Sequence, residues 1–248
     1  MIRSFFAVLF VVIYFIIMIP VCGILWLIGR KNPKGAEKAL FATAKWILKL
    51  VVFISGTKVT INGRENLPNP KDAPKLFIAN HNSIFDVVLM YVYFAEAPAF
   101  IAKNSLKKVP VLSMIMSRLK VMFLDRSDVR DGMRVIMESI DYINKGENVF
   151  VFPEGTRSKD GNMLPFKEGS FKIATKTDCP IVPVAITNTA NILEAHMPFI
   201  RSAKVVVTFL PPVSMEDIPA EEKKHIGAYV QSLIATQLEA DSKLLQQA

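Results

Sequence analysis

The sequence predicts an α/β domain with a mixed, largely parallel sheet flanked by helices, preceded by an N-terminal two-helix membrane-binding motif. Three observations carry this expectation. From Thr57 onward, short apolar runs alternate with helix-like stretches, the texture of strand–helix–strand units. Before that point, Phe5 to Ile28 contains no charged side chain. Between the two, residues 36–55 are amphipathic at the start and apolar at the end.

The apolar segment comes first along the chain. As a helix, Phe5 to Ile28 reaches about 36 Å, enough to cross a hydrocarbon core of about 30 Å. It is longer than the apolar region of a signal peptide, and no small-residue cleavage site follows it. A basic turn, Gly29 to Gly35, leads to Ala36–Ser55, where Lys38, Lys45 and Lys49 interrupt an apolar series. That stretch reads as an interfacial helix beside the membrane segment, with a core helix as the bland alternative. The expected units are therefore 1–55, a membrane-anchoring helical hairpin or a transmembrane helix plus an interfacial helix, and 56–248, the catalytic domain with a C-terminal amphipathic helix.

Within the second unit, KVTIN, KLFIAN, AFIAK, KVMFLD, NVFVFPEG, PIVPVAI and KVVVTFL read as strands. Ile84–Phe94, Leu106–Leu119, Arg130–Lys145 and Gly169–Lys176 read as helices between them. The tail carries Ile226, Tyr229, Val230, Leu233, Ile234 and Leu238 at helical spacing.

Hydrophobic residues make up 51% of the chain, and the excess over a soluble norm sits in the first 55 residues, so a membrane setting is weighed first. The net charge of +8 calls for an anionic partner, and beside an apolar N-terminus a phospholipid surface is the simplest. No nucleic-acid module signature is visible. Cys22 and Cys179 make no disulfide framework, and three histidines offer no metal cluster. There is no nucleophile elbow, dinucleotide fingerprint or phosphate-binding P-loop.

Three segments carry chemistry. The first is Asn80-His81-Asn82-Ser83-Ile84-Phe85-Asp86, at the end of an apolar run. Residues five apart on a helix lie about 140° apart, so His81 and Asp86 meet only if His81 stands in the turn before the helix and Asp86 in its first turn. A carboxylate on one imidazole nitrogen leaves the other free as a base. The bland reading is that Asp86 only caps the helix, with Ser83 as N-cap. The second segment is Phe152-Pro153-Glu154-Gly155-Thr156-Arg157-Ser158, where a glycine turn and an arginine suit an anion, or where Glu154 merely pairs with Arg157. The third runs from Lys103 to Asp125-Arg126, basic residues at strand ends, or an Asp125–Arg126 surface pair.

Taken in order, NHNSIFD, FLDR, FPEGTRS and VPVAI resemble the motifs of the glycerolipid acyltransferase family, and LPFKEGSFKIA resembles that family's continuation after the arginine. The resemblance covers residues 57–212. The stretch between Pro110 and Phe123 lacks the glycines often found there. The resemblance implies transfer of a fatty acyl group from an acyl thioester, on coenzyme A or acyl carrier protein, to the free hydroxyl of lysophosphatidic acid. It implies His81 as general base and Asp86 as its orienting carboxylate. Lys103, Arg126 and Arg157 would hold the glycerol phosphate, and Glu154, Gly155 and Thr156 would shape that pocket. No metal and no cofactor beyond the thioester co-substrate is implied, and the setting would be the cytoplasmic side of an inner or plasma membrane. Another lysophospholipid, or glycerol 3-phosphate, would fit the same basic residues. A non-catalytic membrane-surface protein is the reading from another class, and the intact His81, Asp86, Glu154 and Arg157 speak against it.

Overall fold

The computed structural model describes residues 1–69, 72–158 and 161–247. Two long helices open the chain, α1 (Ile2–Gly29) and α2 (Pro33–Ser55), folded back on each other as a hairpin. The turn between them is locally encoded. Asn32 caps α2 by accepting from the Gly35 N–H at 2.9 Å, and Pro33 occupies the first helical position, where a missing N–H costs nothing. At the other end Gly56 adopts φ +70°, the left-handed conformation that closes a helix. By length and composition α1 is the helix, among the described residues, that could cross a membrane.

The chain after the hairpin is built on a seven-stranded sheet. Its strands are β1 (Lys58–Asn62), β2 (Leu76–Ala79), β3 (Ala99–Lys103), β4 (Val121–Leu124), β5 (Val149–Val151), β6 (Ile181–Thr187) and β7 (Lys204–Phe209), in the spatial order β1-β7-β6-β2-β5-β3-β4. β6, β2, β5, β3 and β4 run parallel. β7 turns back antiparallel to β6, and β1 lies parallel to β7. The fold is thus the expected mixed, largely parallel sheet.

The interleaved helices are α3 (Ile84–Tyr93), α4 (Pro110–Arg118), α5 (Val129–Asn144), α6 (Lys172–Thr177) and α7 (Ile226–Gln247). The expected helix from Leu106 divides into a 3-10 turn (Asn104–Lys108) and α4, because Pro110 has no N–H to continue the turn but can begin a new helix. Likewise α6 is preceded by a 3-10 segment at Glu168–Phe171.

Alternation along each strand divides the core in two. Phe77 and Ala79 of β2 face a cluster shared with α1, α2 and α3, while Leu76 and Ile78 face α5, α6 and α7. α2 is part of the first cluster through Leu40, Phe41, Ala44, Ile47 and Val51. Burying its four large apolar side chains is worth about 6–12 kcal/mol, comparable to the whole stability of a domain. The hairpin is therefore integral to the fold, yet its outer side stays apolar: Trp46 and Phe53 are 63% and 81% exposed. An ion triad fastens its tip, with Lys120 Nζ 2.6 Å from Glu37 and 2.7 Å from Glu147.

Candidate active site

The segments singled out in the sequence leave the C-terminal ends of neighbouring parallel strands. Ile78 is level with Val151, so the chains leading to His81 and to Phe152 emerge side by side. Lys103 is level with Leu124, which places Lys103 and Arg126 at the same end of the sheet. Parallel sheets gather ligand-binding loops at this edge.

Asn80 fixes the exit of the first loop. Its buried side chain donates to the Ile186 carbonyl at 2.9 Å and accepts from the Ile186 N–H at 2.8 Å, extending the β2–β6 ladder by one residue. His81 follows in the turn and Ser83 begins α3 as its N-cap. Asp86 stands in the first turn, so the one geometry that lets residues five apart meet is the one adopted. His81 Nδ1 lies 2.9 Å from Asp86 Oδ2. The same oxygen accepts from the Asn82 N–H at 2.7 Å and the Ser83 N–H at 2.8 Å, completing a capping box. The cap and the histidine partner are not alternatives: Asp86 is both. Its other oxygen accepts from Thr189 Oγ1 at 2.5 Å, and the residue is fully buried. The His81 ring stacks on Phe152, with 4.1 Å between ring centroids. With Nδ1 assigned to the carboxylate, Nε2 is the ring nitrogen left for a substrate.

Glu154 and Arg157 do not pair with each other. Glu154 turns inward, accepting from the His81 N–H at 2.7 Å and the Leu164 N–H at 2.8 Å. It is 4% exposed, and burial pushes its carboxyl above the usual range, against the two backbone donors and the nearby His81. Glu154 therefore holds the histidine loop through its backbone. Gly155 has φ +71°, and a Cβ there would stand 2.7 Å from Lys167 Nζ, so the turn needs glycine. Thr156 and Arg157 beyond it are exposed.

The basic residues stand at the open side of the site. Arg157 Nη1 donates to Glu194 Oε1 at 2.7 Å. Arg126 makes no ion pair among the described residues; Asp125 instead accepts from Ser127. Burial first, and then the like charge of Arg157, lowers the Arg126 pKa, so the two guanidinium groups share one neighbourhood. Lys103 is exposed at the end of β3. Thr189 and Glu194 escaped the sequence reading. Both lie on irregular turns between β6 and β7, and their partners Asp86 and Ile84 are 103 and 110 positions away. No local pattern marks them.

The arrangement is a histidine poised on a buried carboxylate with cations beside it. A model of the acyltransferase family matches residues 58–187, more than half of the chain. The chain is 39% identical over 136 residues to a chloroplastic 1-acyl-sn-glycerol-3-phosphate acyltransferase of Brassica napus, covering 55% of this chain but only 39% of that protein's length. It is 27% identical over 199 residues to the 1-acyl-sn-glycerol-3-phosphate acyltransferase of Borreliella burgdorferi, covering 80% of this chain and 79% of the relative. The crystal structure of the 1-acyl-sn-glycerophosphate (LPA) acyltransferase of Thermotoga maritima superposes with a TM-score of 0.75 at 29% identity, covering 97% of this chain and 98% of that one. The chain belongs to the acyltransferase family.

Proposed function

We propose that this protein transfers a fatty acyl group from a thioester to the sn-2 hydroxyl of 1-acyl-glycerol 3-phosphate, giving phosphatidic acid. The observation that carries the reading is the His81–Asp86 pair, 2.9 Å apart, on a loop tied through Glu194 to Arg157. His81 is the general base. Nε2 takes the proton of the acceptor hydroxyl as that oxygen bonds to the thioester carbonyl carbon; the C–S bond then breaks and the imidazolium returns the proton to the leaving thiolate. Asp86 holds the ring and stabilises the transient imidazolium. The transfer is direct, within a ternary complex and without a covalent intermediate. Arg126, Arg157 and Lys103 attract the acceptor phosphate, and an arginine fork grips it with paired hydrogen bonds. The donor is acyl-coenzyme A or acyl carrier protein. The test is thiol release by the purified full-length chain, with each donor, against lysophosphatidic acid, other lysophospholipids, glycerol 3-phosphate and monoacylglycerol. Turnover without preference for lysophosphatidic acid would refute the acceptor assignment.

The acceptor is a lipid, so the site must face a bilayer. The outer side of α1 and α2 is apolar, and α1 is tied to the following domain near its start and again two turns before its end: Ser4 Oγ accepts from the Ile200 N–H at 2.7 Å, and Arg118 Nη1 donates to the Cys22 carbonyl at 3.1 Å. A helix held at two points 18 residues apart to one domain favours a hairpin lying in a single leaflet over a span. Arg30, Lys31 and Lys34 in the turn favour the cytoplasmic leaflet. Substituting Trp46 and Phe53 by glutamate should abolish flotation with anionic vesicles while leaving Tm unchanged. Undiminished flotation would place the lipid contact elsewhere.

A further inference from the structure

Glu194 opens a 3-10 turn (Glu194–His196) on the connection between β6 and β7. Its carboxylate gathers donors from two other loops. The Ile84 N–H donates to Oε1 at 2.8 Å and Ser83 Oγ to Oε2 at 2.5 Å, both at the start of α3. Arg157 Nη1 donates to Oε1 at 2.7 Å from the glycine turn after β5. Ser83 and Ile84 follow His81 by two and three residues. One carboxylate thus ties the arginine that faces the phosphate to the loop that carries the histidine.

We propose that Glu194 is a positioning residue for acceptor recognition: it fixes where the Arg157 guanidinium stands relative to His81. The inference rests on the acceptor reading above and deepens it. In the acceptor the reacting hydroxyl and the phosphate sit on adjacent carbons. The base and the phosphate anchor must therefore keep one separation, and an error near 1 Å can cost about 10²-fold in rate. Arg157 alone cannot hold that separation. Its side chain is 48% exposed, on an exposed turn, and a free arginine carries about 2 kcal/mol of rotamer entropy.

An exposed ion pair would be a weak restraint. Glu194, however, is only 17% exposed on its side chain and is already locked by Ile84 and Ser83 before it meets the arginine. It engages one nitrogen of the fork, which leaves the remaining N–H groups for the phosphate. It also offsets the repulsion between Arg126 and Arg157 while the site is empty. The bland account is that Glu194 only caps α3. A cap has no reason to act on one substrate and not the other.

The experiment measures KM for both substrates, kcat and Tm in the full-length chain with lysophosphatidic acid and an acyl thioester. Glu194→Ala should raise the acceptor KM roughly tenfold and leave the donor KM unchanged. Glu194→Gln keeps an oxygen for Ile84 and Arg157 and should restore most of the loss; Glu194→Asp, too short to serve both loops, should not. The double variant Glu194→Ala/Arg157→Ala should be no worse in acceptor KM than Arg157→Ala alone, because the two residues act as one unit. If Glu194→Ala does not fold, the contrast between the Gln and Asp variants carries the same test. An unchanged acceptor KM, an equal rise for both substrates, or full additivity with Arg157→Ala would overturn the proposal while leaving the acceptor reading intact. A wild-type chain that does not prefer lysophosphatidic acid over monoacylglycerol would overturn that reading, and this proposal with it.

Discussion

The two halves of the site are built in opposite ways. On the histidine side the two carboxylates are held by converging donors. Asp86 is fully buried and accepts from His81, Asn82, Ser83 and Thr189, while Glu154 fastens the His81 backbone from the next strand. On the side proposed to take the phosphate the cations are exposed or half-buried, and among the described residues Arg157 pairs with Glu194. The difference follows from what each half must do. A general base works only within hydrogen-bond reach and in one tautomer, so its ring must be fixed before substrate arrives. A phosphate dianion is attracted over several ångströms from many directions, so long cationic side chains near water suffice, and they let the lipid headgroup in.

Removing the centre of the rigid half should have the largest effect. His81→Ala is expected to lower kcat by about 10²–10⁴-fold with little change in Tm, since the ring is replaced beside water rather than in the core. Asp86→Asn should fall within the same range of rate loss. It should also lower stability by about 1–3 kcal/mol, because an amide cannot satisfy donors converging on both carboxylate oxygens. A His81 variant that kept most of its turnover would break the comparison at its root.

The open half should respond differently. Arg126→Ala and Arg157→Ala are expected to raise the KM for lysophosphatidic acid by roughly 10–100-fold while sparing the donor KM and Tm, with lysine only partly restoring the fork. Steady-state kinetics with each substrate varied in turn would show it. Equal effects on both substrates would mean that the arginines serve the structure and that the halves differ less than their exposure suggests.

The smallest effect sharpens the contrast. Burial raises the Glu154 carboxyl in the folded state above its unfolded value of about 4.3. The folded protein then binds this proton more readily than the unfolded chain. The Glu154 contribution is most favourable below pH about 4.3 and declines as pH climbs through the higher folded-state value. Urea titrations of wild type and Glu154→Gln should therefore diverge in that direction across the mildly acidic range. A pH-independent difference would show that Glu154 is not desolvated as its position requires.

Much of this was legible in the sequence. Apolar runs marked the strands, and Ser83 with Asp86 announced both a helix start and a partner for His81, since the cap and the pair depend on residues three and five apart. The hold of Glu154 on the histidine loop was not legible, for a tertiary reason. The local pattern shows an adjacent glycine and arginine, and only the pairing of β2 with β5 brings the His81 N–H within 2.7 Å of the Glu154 carboxylate. That one stripe of α2 is core while Trp46 and Phe53 stay exposed was not legible either, because its amphipathic pattern does not say what each face meets.

By itself, then, the sequence determined what short-range chemistry encodes: which segments extend, where helices begin, the uncharged first helix, and the motifs that bring base and cations to strand ends. Tertiary structure alone decided that β1 and β7 run against the rest of the sheet, that the hairpin closes one face of the core, and that Thr189 and Glu194 reach back to the histidine loop. These are contacts between residues from about twenty to about 150 positions apart in the chain. Periodicity, capping and turn chemistry act over a few residues, so nothing in them specifies which distant side chain will fill a vacant acceptor or donor once the strands have paired.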